Sequence, residues 1–212
     1  MATRSSSRCR SSRSISLVII GHSFVARNRQ AIHSFLRSTS FGDIHIAEIH
    51  ILAHGGAIFG DSNFLDYLHF LSTYSFSYPL IIMSFLSDND IFPRNSDSYA
   101  DMPSTICGVV PFFGYWLDEI RRAANPIKIY QVTPAVRRGR HHYNGLLPFI
   151  EYSLLMFAGR KPWLHILSRE GRGGSDVREL SPDGIHPLSR FVSTWVTDYI
   201  SLVIQDYLTT LY

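Results

Sequence analysis

Two short motifs, separated by most of the chain, hold the side chains with the clearest chemical potential. Ser23 follows a run of apolar residues near the amino end, whereas Asp183 and His186 precede the last helix-like segment. A serine hydroxyl becomes a nucleophile when a histidine accepts its proton and a carboxylate orients that histidine. These three residue types therefore indicate nucleophilic catalysis, provided that the fold brings them together.

Each motif also has a simpler interpretation. Ser23 stands at a strand-to-helix turn, where serine commonly caps the helix, and Asp183 could cap the last helix in the same way. Val25 replaces the final glycine of Gly-x-Ser-x-Gly, which argues against the nucleophile elbow of the α/β-hydrolases. The turn also lacks the Gly-x-Gly-x-x-Gly pattern of dinucleotide sites. The residues around Ser23 therefore do not by themselves decide between a capping role and a catalytic role.

Candidate hydrogen-bond donors occur between the two motifs. Gly55 and Gly56 follow a strand-like segment, and Asn89 follows the most apolar strand-like segment of the chain. Acyl transfer needs donors aimed at the oxyanion of its transition state. A glycine N–H, the Asn89 amide and the Ser23 N–H could supply them, although turns use the same residue types. The pattern is compatible with an oxyanion hole.

Strand-like and helix-like segments alternate along the chain, which favours an α/β fold with a parallel sheet covered on both faces. In such sheets ligands bind at the carboxyl ends of the strands, so the residues named above are expected at one edge. The predicted strands are 16–20, 44–52, 80–86, 127–132 and 163–167. The predicted helices are 24–36, one that Asp61 caps, 109–124, 143–157 and 188–211, with loops at 87–105, 137–142 and 170–180.

At this point the chain resembles the SGNH hydrolases, also called GDSL esterases and lipases, over about residues 16–211. That family carries Gly-Asp-Ser after its first strand, a glycine after its second, Gly-x-Asn-Asp after its third and Asp-x-x-His near its carboxyl end. The resemblance implies a three-layer α/β/α, flavodoxin-like domain with a five-stranded parallel sheet. It also implies a serine esterase for small carboxylic esters that needs no cofactor or metal. The implied nucleophile is Ser23, the base His186 and its partner Asp183, with Gly56 and Asn89 in the oxyanion hole.

Two positions depart from the family pattern. His22 replaces the aspartate before the nucleophile, and Ser87 and Asp88 precede Asn89 where glycines are common. The Gly-His-Ser-Phe-Val form resembles the esterase-like domains of some non-LTR retrotransposon proteins. A catalytically weak or inactive binding module of the same fold, with nucleic-acid association, is therefore the alternative to an active esterase.

Composition sets outer limits on the function. Hydrophobic residues make up 45% of the 212 residues and charged residues 17%, which is typical of one globular domain. No apolar stretch is long enough for a transmembrane helix, and the net charge of +3 does not by itself indicate a nucleic-acid partner. The oligomeric state is left open. The histidines at 45, 50 and 54 have no supporting metal-ligand pattern.

Basic residues are concentrated at the amino end. Residues 1–14 are rich in serine and arginine, and no acidic residue precedes Asp43. The segment lacks the apolar core of a secretory signal, so we expect an intracellular protein. A transit peptide, a basic arm that contacts phosphates and a disordered linker are the interpretations left open for it. We expect residues 1–15 to form a disordered basic tail and 16–212 the SGNH-like domain. Arginines at 4–13 and at 137–140 are the candidates for contacting nucleic-acid phosphates.

Overall fold

The computed structural model describes residues 13–87, 102–139 and 141–210. The predicted tail therefore lies outside the described residues up to residue 12. Asn89 and Arg140 lie outside them as well. Within the described ranges, no helix is both long enough and apolar enough to cross a membrane.

The described residues form a five-stranded parallel sheet. Its strand order is β2-β1-β3-β4-β5, the order of flavodoxin-like folds, and every neighbouring pair is parallel. Strand β1 lies between β2 and β3. The chain therefore adds β2 on one side of β1 and the later strands on the other side. The strands are β1 (Arg13–Gly21), β2 (Ile44–Ala53), β3 (Leu80–Ser84), β4 (Lys128–Val132) and β5 (Leu164–Leu167).

Helices connect the strands and cover both faces of the sheet, as right-handed parallel crossovers require. Within the described ranges they are α1 (Ser23–Arg27), α2 (Arg29–Ser38), α3 (Ser62–Thr73), α4 (Met102–Ala124), α5 (His141–Ala158) and α6 (Ser189–Thr209). A short 3₁₀ helix (Val177–Glu179) lies in the loop between β5 and α6.

Alternate residues of β1, which lies between β2 and β3, belong to two separate apolar cores. Leu17 and Ile19 of β1 pack with side chains of α1, α2 and α6, whereas Val18 and Ile20 pack with side chains of α3, α4 and α5. All four are at most 1% exposed, because β1 is covered on both faces. The molecule is therefore a three-layer α/β/α sandwich, which confirms the predicted fold class.

The helix predicted at 24–36 is interrupted at Asn28. The Asn28 side-chain amide donates to the Phe24 carbonyl oxygen at 2.8 Å, and its backbone leaves the helical region at φ −109° and ψ 11°. Asparagine competes for backbone hydrogen bonds in this way, which divides the segment into α1 and α2. The consequence is that Ser23 lies on a separate five-residue helix directly after β1.

Several predicted boundaries were wrong by a few residues. Strand β1 begins at Arg13, three residues early, because a register shift between Ile15 and Ser16 lets its polar start continue to pair with β2. Helix α4 begins at Met102 inside the predicted loop, since Pro103 is compatible with a first helical turn. The predicted strand at 80–86 ends at Ser84.

Gly21 makes the turn from β1 into α1 possible. A Cβ atom at this position would lie 2.3 Å from Val25 Cγ2, and Val25 is fully buried. We therefore expect Gly21→Ala to lower the free energy of unfolding by about 1–3 kcal/mol, as overpacked core positions do. Chemical denaturation tests this, with Gly55→Ala as the matched control because nothing lies within 4 Å of its added Cβ. Equal stability of the two variants would contradict the prediction.

A polar cluster joins β4 and β5 to the last helix, away from the candidate site. Asp206 Oδ2 accepts hydrogen bonds from Lys128 Nζ at 2.8 Å and from the Tyr130 hydroxyl at 2.6 Å, with His165 Nδ1 at 3.4 Å. Burial alone would raise the pKa of Asp206. The hydrogen bonds from Lys128 and Tyr130 outweigh burial, and the net pKa lies below its ordinary value.

This cluster predicts a pH dependence of stability. A carboxyl group with a lowered folded pKa stabilises the fold above its unfolded pKa near 3.8, and that contribution is lost as the pH falls through the folded pKa. We expect Asp206→Asn to cost about 1 kcal/mol at pH 7, since water screens a carboxylate that is one-third exposed. The cost should disappear in acid. Urea unfolding between pH 2 and 7 measures it, with Asp198→Asn on the same helix as control, and a pH-independent cost would contradict it.

Candidate active site

Ser23 begins helix α1 at the carboxyl end of β1. The N-cap position belongs to His22, whose side chain makes no capping hydrogen bond to the helix. Ser23 therefore does not cap its helix, which removes the simpler interpretation of its position. Asp183 does not cap α6 either, because Leu188 is the N-cap residue there. Neither side chain is used to cap a helix, so both are available for other hydrogen bonds.

The structure brings the three motif residues together in one hydrogen-bonded chain. His186 Nε2 lies 2.8 Å from Ser23 Oγ, and His186 Nδ1 lies 2.7 Å from Asp183 Oδ2. An ionised carboxylate only accepts hydrogen bonds, so the Nδ1 atom carries the ring proton and Nε2 is the acceptor. The Ser23 hydroxyl then donates to Nε2. This is the tautomer that can receive a serine proton.

Asp183 is held in the ionised form by several donors. The Ser181 hydroxyl and the backbone N–H groups of Ile185 and His186 donate to its Oδ1 atom at 2.6, 2.9 and 3.0 Å. Partial burial acts to raise the pKa of Asp183. The hydrogen bonds from Ser181, from these backbone groups and from the His186 ring act against it, and the net pKa lies well below its ordinary value. The carboxylate is thus fixed in orientation and charge.

Asp183 and His186 lie on a tight loop, not on a helical turn. Ser181 N–H donates to the His186 carbonyl oxygen at 2.7 Å and closes the loop. Gly184 has φ +71°, and a Cβ there would lie 2.9 Å from Arg138 Cβ. The loop therefore needs glycine both for its backbone conformation and for its close approach to Arg138.

Side chains from outside the motifs anchor this loop. Glu179 Oε2 accepts from the Gly174 N–H at 2.9 Å and from Trp195 Nε1 at 3.0 Å. Trp195 is 2% exposed and packs against Phe24 with ring centroids 5.3 Å apart. Helix α6 thereby ties the loop of His186 to the helix of Ser23. Glu179 and Trp195 belong to no motif and could not be found from the sequence, since their roles depend on long-range contacts.

The basic loop predicted at 137–142 has a structural role in its described part. The Arg138 guanidinium donates to the Leu180 carbonyl oxygen at 2.8 Å and to that of Val177 at 3.3 Å, and the Arg138 backbone N–H donates to the Gly184 carbonyl oxygen at 3.0 Å. Arg138 is therefore a positioning residue for the loop that carries Asp183. Its guanidinium is occupied by these carbonyl oxygens, and phosphate contact by the 137–140 segment stays a prediction from the sequence.

His22 offers Ser23 a second, weaker hydrogen bond. Its Nδ1 atom lies 3.4 Å from Ser23 Oγ, against 2.8 Å for His186 Nε2. His22 is 6% exposed, so its ring lies beneath the site rather than in solvent. The shorter contact and the Asp183 partner make His186 the better base for the Ser23 proton.

The predicted oxyanion donors are described only in part. Gly56 lies in the turn after β2 with φ +81°, and the Ala57 N–H closes that turn on the His54 carbonyl oxygen at 3.3 Å. Asn89 lies outside the described residues. The chain just before it is held to β4, because Gln131 Nε2 donates to the Leu86 carbonyl oxygen at 2.6 Å. Gly56 and Asn89 remain predictions from the sequence.

A cavity of about 450 Å³ lies at the same edge of the sheet, beyond the ends of β4 and β5. Apolar side chains of α5 form one wall, while Val136 and Arg169 separate it from a small cleft beside His186. Arg169 is 5% exposed, and its guanidinium donates to the Gly173 carbonyl oxygen at 3.3 Å. The edge of the sheet that carries Ser23 therefore has space for part of a small organic molecule.

The histidines of β2 and its following turn have other partners. His54 Nδ1 lies 3.0 Å from the Tyr67 hydroxyl, and the His50 ring is surrounded by Phe70, Tyr74 and Phe76 at centroid distances of 4.6–5.8 Å. In the part of the chain that the structure describes, no group of three or more histidine, cysteine or acidic side chains is arranged to hold a metal ion.

Comparison with solved structures identifies the fold. The chain matches a member of the lipolytic G-D-S-L family from Veillonella parvula with a TM-score of 0.60 and 10% identity, over 88% of this chain and 97% of that one. It matches an acetylxylan esterase from Geobacillus stearothermophilus with a TM-score of 0.56 and 10% identity, over 87% and 92%. It matches a carbohydrate acetylesterase from Sinorhizobium meliloti with a TM-score of 0.55 and 16% identity, over 93% and 99%.

These structural similarities establish the fold. No protein-family description matches the chain, and no curated protein does. The resemblance to SGNH hydrolases is confirmed as a resemblance of fold. The likeness of the Gly-His-Ser-Phe-Val segment to retrotransposon-associated esterase domains stays a prediction from the sequence.

Proposed function

We propose that this protein is a serine esterase that hydrolyses carboxylic esters through Ser23, His186 and Asp183. The observation that carries the proposal is the hydrogen-bonded chain in which His186 lies 2.8 Å from the Ser23 hydroxyl oxygen and 2.7 Å from Asp183. The three residues come from distant parts of the sequence and meet at the edge of the sheet where parallel α/β proteins bind ligands. Capping roles do not account for either motif.

The reaction proceeds in two halves. Ser23 Oγ attacks the ester carbonyl carbon while His186 Nε2 accepts the hydroxyl proton. Asp183 keeps the proton on Nδ1 and stabilises the imidazolium. The tetrahedral intermediate collapses, the C–O bond to the alcohol breaks, and His186 returns the proton to the leaving alkoxide. Water then attacks the acyl-enzyme with His186 again as the base, which releases the acid and regenerates Ser23.

The negative charge on the carbonyl oxygen requires donors at the same edge. The Ser23 N–H belongs to the first turn of α1, where backbone N–H groups have no partner within the helix. The resemblance to the SGNH family assigns the other donors to the Gly56 N–H and the Asn89 side chain. Each well-aimed donor contributes about 10²–10³-fold in rate for reactions of this type.

Small esters are the proposed substrates. Two of the structures with this fold are an acetylxylan esterase and a carbohydrate acetylesterase, which supports a short acyl group on an alcohol. A series of p-nitrophenyl esters from acetate to decanoate tests both the activity and the acyl preference. We expect the highest kcat/KM at short acyl chains. No hydrolysis of any ester would reject the esterase and favour a binding module of the same fold.

His22→Asp tests which histidine is the base. Aspartate is the usual family residue at this position and also a favourable N-cap, so α1 should be retained. Because His186 has the shorter contact to Ser23 and its own carboxylate, we expect kcat/KM for p-nitrophenyl acetate to be preserved or raised. A large loss of activity with an unchanged melting temperature would instead make His22 part of the site.

A further inference from the structure

The outer face of α1 and α2 carries an unusual concentration of positive charge. Arg27, Arg29 and Arg37 are exposed, and together with His33 they line a surface cavity of about 600 Å³. None of the residues that line this cavity is acidic. The surrounding sequence offers no compensation either, because Asp43 is the first acidic residue of the chain.

Few of these cationic side chains form hydrogen bonds or ion pairs within the described part of the protein. Arg27 and Arg37 make no ion pair or hydrogen bond with the residues that the structure describes, whereas Arg29 donates to the Ala53 carbonyl oxygen at 2.9 Å. Other arginines are committed to internal partners, such as Arg138 to backbone carbonyls and Arg178 to Asp176. Two guanidinium groups of the α1–α2 face, those of Arg27 and Arg37, are thus available to an external anion.

His33 lies among these arginines, and their positive charges affect its pKa. Its Nδ1 atom is buried and has no hydrogen-bond partner among the described residues. Burial lowers the pKa of His33, and the positive charges of Arg37 and Arg29 lower it further. Crowding like charges without counter-charges opposes folding, so an anion bound in the cavity would relieve this repulsion.

The spacing of the cationic side chains favours an extended anion. Arg29, His33 and Arg37 are four residues apart in turn, which places them in one row along α2. At 1.5 Å per residue the row extends about 12 Å, with about 6 Å between neighbours. A single phosphate could contact only one or two of these groups. A chain of phosphates could contact the whole row.

We propose that the α1–α2 face, formed by the row of Arg29, His33 and Arg37 together with Arg27 of α1, binds the phosphodiester backbone of a nucleic acid. Arginine suits this ligand because its planar fork donates two hydrogen bonds to one phosphate. The surface differs from the two basic segments indicated by the sequence. It requires neither Ser23 nor His186 and goes beyond the proposed ester hydrolysis.

Fluorescence anisotropy of the full chain with a labelled 20-nucleotide single-stranded RNA tests the proposal at several NaCl concentrations. The variant is the double substitution Arg27→Gln with Arg37→Gln. Loss of two phosphate contacts should weaken binding about tenfold at low salt and reduce the slope of log K against log [NaCl] by about 1.4. The control is Arg122→Gln with Arg160→Gln, which removes the same charge from α4 and from the turn after α5, on the other face of the sheet, and should leave the slope unchanged.

The other outcomes overturn the proposal. Equal losses in both double variants would mean that only net charge matters, and an unchanged slope in the first would place RNA binding elsewhere, such as in residues 1–12. Binding to phosphatidylserine vesicles without RNA binding would identify a lipid surface instead. Ester hydrolysis is scored separately: Arg27→Gln with Arg37→Gln should retain it, and Ser23→Ala should retain RNA binding, so each function can fail alone.

Discussion

Ester hydrolysis should fall by about 10³-fold or more when Ser23 is replaced by alanine, with an almost unchanged melting temperature. The Ser23 hydroxyl is the only part of the side chain that the substitution removes, and its described hydrogen bonds are to the rings of His186 and His22. Gly21, which makes the turn into α1 possible, remains. The measurement is kcat/KM for p-nitrophenyl acetate together with thermal denaturation.

Ser34→Ala is the matched control for this substitution. Ser34 is exposed on α2, so the same atom is removed from a serine outside the candidate site. We expect the control to keep full activity. If Ser23→Ala retained activity comparable to that of Ser34→Ala, Ser23 would not be the nucleophile.

Asp183→Asn should lower kcat by about 10³–10⁴-fold, the loss typical when the wrong histidine tautomer is imposed. The asparagine Oδ1 atom can still accept the loop hydrogen bonds from Ser181, Ile185 and His186. Its amide group then faces His186 Nδ1 as a donor. The ring proton moves to Nε2, which can no longer accept the proton of Ser23.

Asp183→Asn tests whether Asp183 orients the His186 ring or only holds the loop together. We expect a near-normal melting temperature and little change in KM, because the loop contacts are retained. Asp66→Asn on α3, an exposed position, controls for the loss of one negative charge. A kcat within about tenfold of the wild type would mean that Asp183 only shapes the loop.

The sequence predicted the sheet well because its signals are local. Most strands contain a short run of apolar residues, and alternation with helical patterns predicts the parallel class. Boundaries were less accurate where one side chain decides them. Asn28 breaks the first helix through a hydrogen bond to Phe24, and Pro103 was taken as part of a loop although it fits a first helical turn.

The sequence could predict which residues form the candidate site, but not the contacts that hold them in position. Ser23, Asp183 and His186 follow from their places at strand ends. The contacts of Glu179 with Trp195 and of Arg138 with the Gly184 loop join segments that are far apart in sequence. Likewise, the free cations of the α1–α2 face are distinguished from committed arginines only once their partners are known.

Fluorophosphonate labelling tests the central claim most directly. The reagent forms a covalent bond with a serine oxygen only when a neighbouring base has activated it. Intact-protein mass spectrometry and peptide mapping then give the number and position of adducts. We predict one adduct per chain, on Ser23, with loss of ester hydrolysis in proportion to labelling and no adduct in Asp183→Asn under the same conditions. Ester hydrolysis that persists in a protein fully labelled at Ser23, or an active protein that is labelled only at another serine, would contradict the account.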